Sequence, residues 1–249
     1  MIVSDNEYTY SKEYDMKWYE VDSKAILKPS SLLNHLQDIA TKSADKFGIG
    51  MSFLAPKNYA WFLIKYHMDF YDYPQSIDSF ILKTESRGCS RLFATRDFEM
   101  WSNDEKCLLG RISSQWAMIN LADKSFVKLS DIGLIPPFEK RDDDIIFSKV
   151  NAQDAYDYEK KFEIRYDDID INQHVNNSNY IVWAMEALPV ELRKNYKPKT
   201  IDMIYKKDIA YGDSVVSRVR VDNEKTSHLL INEQTNDQLC LIDVVWEKI

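Results

Sequence analysis

The feature that most constrains the fold is a repeated order of elements: one helix and a run of strands, then the same again. Between Ser30 and Phe47, apolar or small residues recur at helical spacing as Leu32, Leu33, Leu36, Ile39, Ala40, Ser43 and Ala44. Pro29 opens this helix and Gly48 stops it. A second helix is predicted over Ser178–Leu188, capped by Asn176 or Asn177 and broken by Pro189. The other periodic segments read as strands, rich in aromatic and branched residues with partial alternation. In the first half these are Tyr59–Tyr73, Ser79–Glu85, Arg91–Trp101 and Cys107–Leu121. In the second they are Lys161–Tyr166, Thr200–Ile209, Ser214–Val221, Ser227–Glu233 and Gln238–Trp246. Two α+β units are expected.

The boundary falls within Leu134–Asp157, where Pro136-Pro137 and the charged run from Glu139 to Asp144 interrupt the strand pattern. That gives an N-terminal unit over 1–135, a solvated linker over 136–157 and a C-terminal unit over 158–249. The halves resemble one another. At an offset of 148, Val21-Asp22 falls on Ile169-Asp170, Leu32-Leu33 on Tyr180-Ile181, and Asp38 on Glu186. At an offset of 139, Tyr66, Asp69 and Phe70 fall on Tyr205, Asp208 and Ile209. The change of offset lies in the loop between helix and strand, so the self-similarity agrees with the element order.

Composition removes several classes. An apolar fraction of 45% provides for a buried core and excludes disorder. A net charge of −8 argues against a general nucleic-acid binder, which needs clustered cations to neutralise phosphates. Cys89, Cys107 and Cys240 are too few and too scattered for a disulfide framework or a zinc site, so a reduced cytoplasmic setting without metal is expected. No basic segment followed by an apolar run opens the chain, and no apolar run approaches the ~20 residues of a membrane span. With six glycines there is no dinucleotide fingerprint, phosphate loop or nucleophile elbow, and no cofactor is expected.

The chemistry concentrates in Asp170, Asn172 and His174, spaced at i, i+2, i+4. In an extended segment those side chains share one side. The segment runs into a helix N-terminus, where unpaired amides and the positive dipole end favour developing negative charge. A carboxylate, an amide, an imidazole and such a helix end are the parts that acyl transfer to water requires. The same residue types are also ordinary turn and capping residues, and spacing alone does not choose between the two readings.

The string Asp168-Ile169-Asp170-Ile171-Asn172-Gln173-His174-Val175-Asn176-Asn177, followed by Tyr180-Ile181, Trp183, Glu186 and Pro189, resembles the signature of the plant and bacterial acyl-acyl carrier protein thioesterases. Arg96-Asp97-Phe98, Gly110-Arg111 and Ser114–Asn120 resemble that family's N-terminal strands, and the resemblance runs from about Tyr8 to Trp246. It implies a tandem hotdog fold, each unit a long helix wrapped by an antiparallel sheet, with one active site in the C-terminal half. It also implies hydrolysis of fatty acyl-acyl carrier protein, with Asp170, Asn172 and His174 at catalytic positions. A further carboxylate is implied on the strand after the helix, where Tyr205-Lys206-Lys207-Asp208-Ile209 stands. Asp208 replaces the usual glutamate, and Ile209 stands where the plant branch has a cysteine, so a nucleophilic cysteine is unavailable there.

Three further expectations attach to this reading. At the 148 offset the first half carries Asp22, Lys24 and Ile26 in place of Asp170, Asn172 and His174, so that half is expected to be the acyl-chain receptacle. Trp61, Phe62, Met68, Phe93 and Met51 are the candidates for lining it, although large apolar residues are more often plain core. Arg193, Lys194, Lys197 and Lys199, with Lys206 and Lys207 near in sequence, form the cluster best suited to receive an acidic carrier protein, or else a solvated surface. A coenzyme A thioesterase and a fatty-acyl binding module are the rival functions, and a homodimer is left open.

Overall fold

The structure is a computed structural model that describes residues 8–74, 79–133, 135–171 and 173–249. Leu134, one end of the expected boundary, and Asn172 lie outside the described residues. The chain divides into two compact units. One comprises the residues up to Leu27 with Asn34–Ile146, and the other Lys28–Leu33 with Phe147–Ile249.

The N-terminal half runs β1 (Thr9–Asp15), α1 (Pro29–Lys46), α2 (Met51–Leu54), β2 (Tyr59–Phe70), β3 (Ser79–Cys89), β4 (Phe93–Ser102) and β5 (Leu108–Asn120). Its strands are antiparallel in the order β1-β3-β4-β5-β2. Leu33, Leu36 and Ile39, spaced along one stripe of α1, are completely buried. Each such side chain contributes roughly 1.5–3 kcal/mol relative to exposure. Phe80, Leu82, Phe98, Met100 and Ile112 on the sheet are buried to the same degree.

The C-terminal half runs β6 (Tyr158–Glu163), α3 (Asn177–Glu186), α4 (Val190–Asn195), β7 (Tyr196–Tyr205), β8 (Ser214–Asp222), β9 (Lys225–Asn232) and β10 (Gln238–Lys248). Its strands are antiparallel in the order β7-β10-β9-β8-β6. Helix α3 packs against β8, β9 and β10 through Tyr180, Ile181, Trp183 and Ala184, all buried. Asn176, rather than Asn177, is the N-cap; its Oδ1 accepts from the Ser178 N–H at 2.9 Å. Each half is thus a helix set against an antiparallel five-stranded sheet, the α+β pattern expected.

The charged run after Pro137 is not a solvated tether. Arg141 makes a bidentate pair with Glu85 at 2.7 and 2.8 Å, Arg87 pairs with Asp144 at 2.7 Å, and Arg111 with Asp143 at 3.3 Å. Gly88 lets this segment approach: its φ of +93° suits glycine, and a Cβ there would stand 2.5 Å from the Pro137 carbonyl oxygen. Glu85 and Arg87 on β3 and Arg111 on β5 are therefore met by charges of the run itself. Charge alternation read without partners could not show that. Among the described residues no helix is long and apolar enough to cross a membrane.

Candidate active site

After β6 the chain makes a short turn at Tyr166–Asp168 that sets up everything following. Asp168 is buried, and its carboxylate accepts from the Arg165 N–H at 2.9 Å and from the Arg165 guanidinium at 2.6 Å. Its carbonyl accepts from the Asn176 N–H at 2.9 Å and from Asn179 Nδ2 at 3.1 Å. Asp168 is thus the clamp that closes the loop onto the start of α3.

Within that clamp, Ile169 bridges Val175, the Asp170 N–H donates to the His174 carbonyl at 2.8 Å, and the Gln173 N–H donates to the Asp170 carbonyl at 3.0 Å. Gln173 sits in the left-handed region at φ +64°. Asp170, Gln173 and His174 therefore stand on a closed turn and not on the extended run that strict alternation implies. One left-handed residue reverses the chain, which period-two spacing cannot anticipate.

A second segment is tied to this turn. The Lys206 and Lys207 N–H groups donate to the Leu239 carbonyl at 2.8 and 3.3 Å as the chain leaves β7. The Ile209 carbonyl then accepts from the Val175 N–H at 3.2 Å, and the Tyr205 hydroxyl donates to the Asn177 carbonyl at 3.1 Å. Held on both sides, Asp208 brings Oδ2 to 2.9 Å from His174 Nδ1. The imidazole is one-third exposed and the carboxylate nearly half, so both can meet a ligand from solvent. Beneath them Tyr180 is buried and packs edge-on to Tyr205, with centroids 5.5 Å apart. Burial pushes the Tyr180 hydroxyl far up; Cys240 and the charges of Asp208 and Asp170 act in the same direction.

Of the four expected catalytic residues, His174 and Asp208 are brought into contact, and Asp170 closes the His174 turn through its backbone. Asn172 lies outside the described residues. The start of α3 is less open than a bare helix end, since Asn176 takes the Ser178 N–H with its side chain and the Asn179 N–H with its carbonyl, both at 2.9 Å. Arg165 is not singled out by sequence, and Tyr180 enters there only in the signature and the offset match, without a site role. The spacing Arg165-x-x-Asp168, an N-cap pattern ahead of the signature, was the available signal for the first.

The same turn exists in the first half at the 148 offset. Val21 bridges Leu27, the Asp22 N–H donates to the Ile26 carbonyl at 2.8 Å, and the Ala25 N–H donates to the Asp22 carbonyl at 3.0 Å. Ala25 takes φ +58°, as Gln173 takes +64°. The bridge and both backbone bonds named here have their counterparts in the other turn, yet Ile26 stands where His174 does. The duplication is therefore of backbone geometry, and the imidazole belongs to one copy.

The receptacle candidates separate. A cavity of about 90 Å³ opens between α1 and the sheet of the first unit, where the small residues Ala40, Thr41 and Ala44 leave room above Ala94 and Trp116. Trp61 lines it and donates Nε1 to the Ile49 carbonyl at 3.2 Å. Phe62 and Phe93 both pair with Ala117, in register positions that alternate with the cavity face, while Met68 is wholly buried in β2 and Met51 is exposed.

The basic cluster is largely paired. Arg193 binds Glu186, Lys194 lies 3.4 Å from Glu191, and Lys197 lies 3.9 Å from Glu247. Lys207 meets Asp237 at 2.5 Å, while Lys199 and Lys206 are exposed. Cys89 and Cys240 are buried, and burial raises both thiols; Cys107 is exposed.

Both halves of the chain are similar to known proteins. Residues 7–132 match the model of the acyl-ACP thioesterase N-terminal domain, and residues 151–248 that of the C-terminal domain. The chain is 23% identical over 247 residues to an oleoyl-acyl carrier protein thioesterase of Arabidopsis thaliana, covering 89% of this chain and 66% of the relative. It is 24% identical over 233 residues to a palmitoyl-acyl carrier protein thioesterase of Gossypium hirsutum, covering 88% and 56%. The chain thus spans between about half and two thirds of the curated relatives' lengths. An acyl-ACP thioesterase from Bacteroides thetaiotaomicron superposes with a TM-score of 0.85 at 24% identity, covering 96% of this chain and 98% of that one. A 12:0-ACP thioesterase from Umbellularia californica gives 0.85 at 18%, covering 98% and 99%. These two likenesses establish the fold, a tandem hotdog. By the family models that match both of its halves, the chain belongs to the acyl-ACP thioesterase family.

Proposed function

We propose that this chain hydrolyses fatty acyl-acyl carrier protein to a free fatty acid and the holo-carrier protein, using water activated by His174. The observation that carries this reading is the 2.9 Å approach of Asp208 Oδ2 to His174 Nδ1. A carboxylate on Nδ1 fixes the tautomer with the proton on that nitrogen and leaves Nε2 as the acceptor. Nε2 takes a proton from water as its oxygen attacks the thioester carbonyl carbon. The carbonyl oxygen becomes an oxyanion, held by Asn172 and an amide near the start of α3. Collapse re-forms the carbonyl and breaks the C–S bond; the departing thiolate takes the proton back from the imidazolium.

Asp208 stabilises the imidazolium and Asp170 holds the turn that carries His174. No cysteine nucleophile is invoked: Cys89 and Cys240 are buried with raised thiols, and Ile209 follows Asp208. The residues 1–135 would serve as acyl receptacle and 158–249 as catalytic unit, with Lys199, Lys206 and the Arg193–Lys197 stretch meeting the acidic carrier protein. The test compares hydrolysis of acyl-carrier-protein and acyl-coenzyme A substrates across chain lengths. Preference for the carrier-protein ester supports the proposal, and preference for coenzyme A replaces the partner. Fatty-acid binding without turnover of either overturns the enzymatic reading.

A further inference from the structure

The cavity in the first unit holds a cation that its apolar walls do not account for. Arg96, on β4, is almost fully buried and lines the cavity with Trp61, Ala94 and Trp116. Its Nη1 donates to Ser43 Oγ at 2.9 Å and to Thr84 Oγ1 at 3.1 Å. Among the described residues no carboxylate pairs with it. Its neighbour Asp97 alternates to the other face of the sheet, where it binds Arg87 at 2.6 Å and Ser113 at 2.7 Å.

A second polar group stands in the same row. Tyr66 on β2 and Arg96 on β4 both pair with Ser114 on β5, and Arg96 pairs in turn with Ser86 on β3. The Tyr66 hydroxyl is buried and, among the described residues, has no hydrogen-bond partner. Ser114 is occupied, since its Oγ accepts from Trp116 Nε1 at 2.8 Å and donates to the Arg96 carbonyl at 3.2 Å. Burial lowers the Arg96 guanidinium to about 10, which still leaves it charged at neutral pH.

A desolvated cation beside an apolar cavity is costly unless an anion or strong acceptor reaches it. We propose that this cavity binds an aliphatic carboxylate, its chain against Trp61, Ala40 and Ala44 and its carboxylate on Arg96. Two sources offer that chemistry: a free fatty acid entering carboxylate first, or an acyl chain whose far end is itself a carboxylate. Only the second rests on the hydrolase reading.

The test is titration calorimetry of the full chain with octanoate and with octanol, which share a chain and differ in charge. Octanoate is expected to bind about tenfold or more tightly, as a buried charge-assisted contact implies. That advantage is lost in Arg96→Met and partly kept in Arg96→Lys. Equal affinity of the wild-type protein for the acid and the alcohol overturns the proposal, and that comparison decides even should Arg96→Met fail to fold. A kinetic arm separates the sources. Methyl-ended and carboxylate-ended acyl thioesters of N-acetylcysteamine, of equal length, are compared in the wild type and in Arg96→Met. A higher kcat/KM for the carboxylate-ended ester, lost in the variant, assigns the site to substrate; inhibition by octanoate without that preference assigns it to free fatty acid. Discriminating titration without any thioester turnover leaves the carboxylate site standing and removes the hydrolase reading. Turnover with non-discriminating titration does the reverse.

Discussion

His174 Nδ1 and Asp208 Oδ2 lie 2.9 Å apart, although one belongs to a turn before α3 and the other to the chain leaving β7. Two backbone anchors make the contact: Val175 N–H on the Ile209 carbonyl, and the Lys206 and Lys207 N–H groups on the Leu239 carbonyl.

Asp208→Asn keeps the size of the side chain and removes the charge that orients the imidazole. Its kcat is expected to fall by about 10²-fold, less than for a wholly buried partner, with KM little changed. Steady-state kinetics on acyl-carrier protein reads this directly. Unchanged kcat would take Asp208 out of the mechanism.

The element order and the signature around His174 were legible in the sequence because apolar period and helix punctuation are local. Strand edges were legible to within a few residues, but β1, α2 and α4 were missed: the two helices are short, and five of the seven residues of β1 are polar. The turn at Gln173 was not legible, since a non-glycine left-handed residue leaves no compositional mark. Nor was the clamping of the Glu139–Asp144 run, whose partners Glu85, Arg87 and Arg111 lie far away in sequence. The partner of His174 came from the resemblance, as spacing alone pointed to Asp170.

Glu85 is 1% exposed in its side chain, so its bidentate pairing to Arg141 cannot be replaced by water. Arg141→Ala should cost about 2–4 kcal/mol by leaving a buried carboxylate uncompensated. The double change Glu85→Gln with Arg141→Met should recover most of it. Denaturant melts of the two variants check this; an Arg141→Ala midpoint equal to wild type would show the run to be an idle linker.

His228 is buried, and desolvation holds its pKa down at about 3, against about 6.5 in the unfolded chain. Between those values the unfolded chain binds a proton and the fold does not, so stability falls as pH drops from about 6.5 toward 3. The contribution is about 2 kcal/mol lost at pH 5 relative to pH 7. His228→Gln should flatten that slope. Denaturant midpoints across the range measure it, and an unaltered slope in the variant contradicts the assignment.

The proposed docking of carrier protein on exposed Lys199 and Lys206 would act as a long-range charge effect, since Arg193, Lys194, Lys197 and Lys207 are paired within the chain. Raised salt should therefore increase KM for acyl-carrier protein and leave a short acyl thioester unaffected. Lys199→Glu should mimic the salt effect by about threefold to tenfold in KM. Equal salt sensitivity of both substrates would assign these lysines to plain surface.

The most direct test of the central claim is steady-state hydrolysis of acyl-acyl carrier protein by wild-type protein and by His174→Ala, with folding checked by circular dichroism. Loss of the general base should lower kcat by about 10²–10⁴-fold in a protein that melts like wild type. A folded His174→Ala that hydrolyses at the wild-type rate would contradict the account.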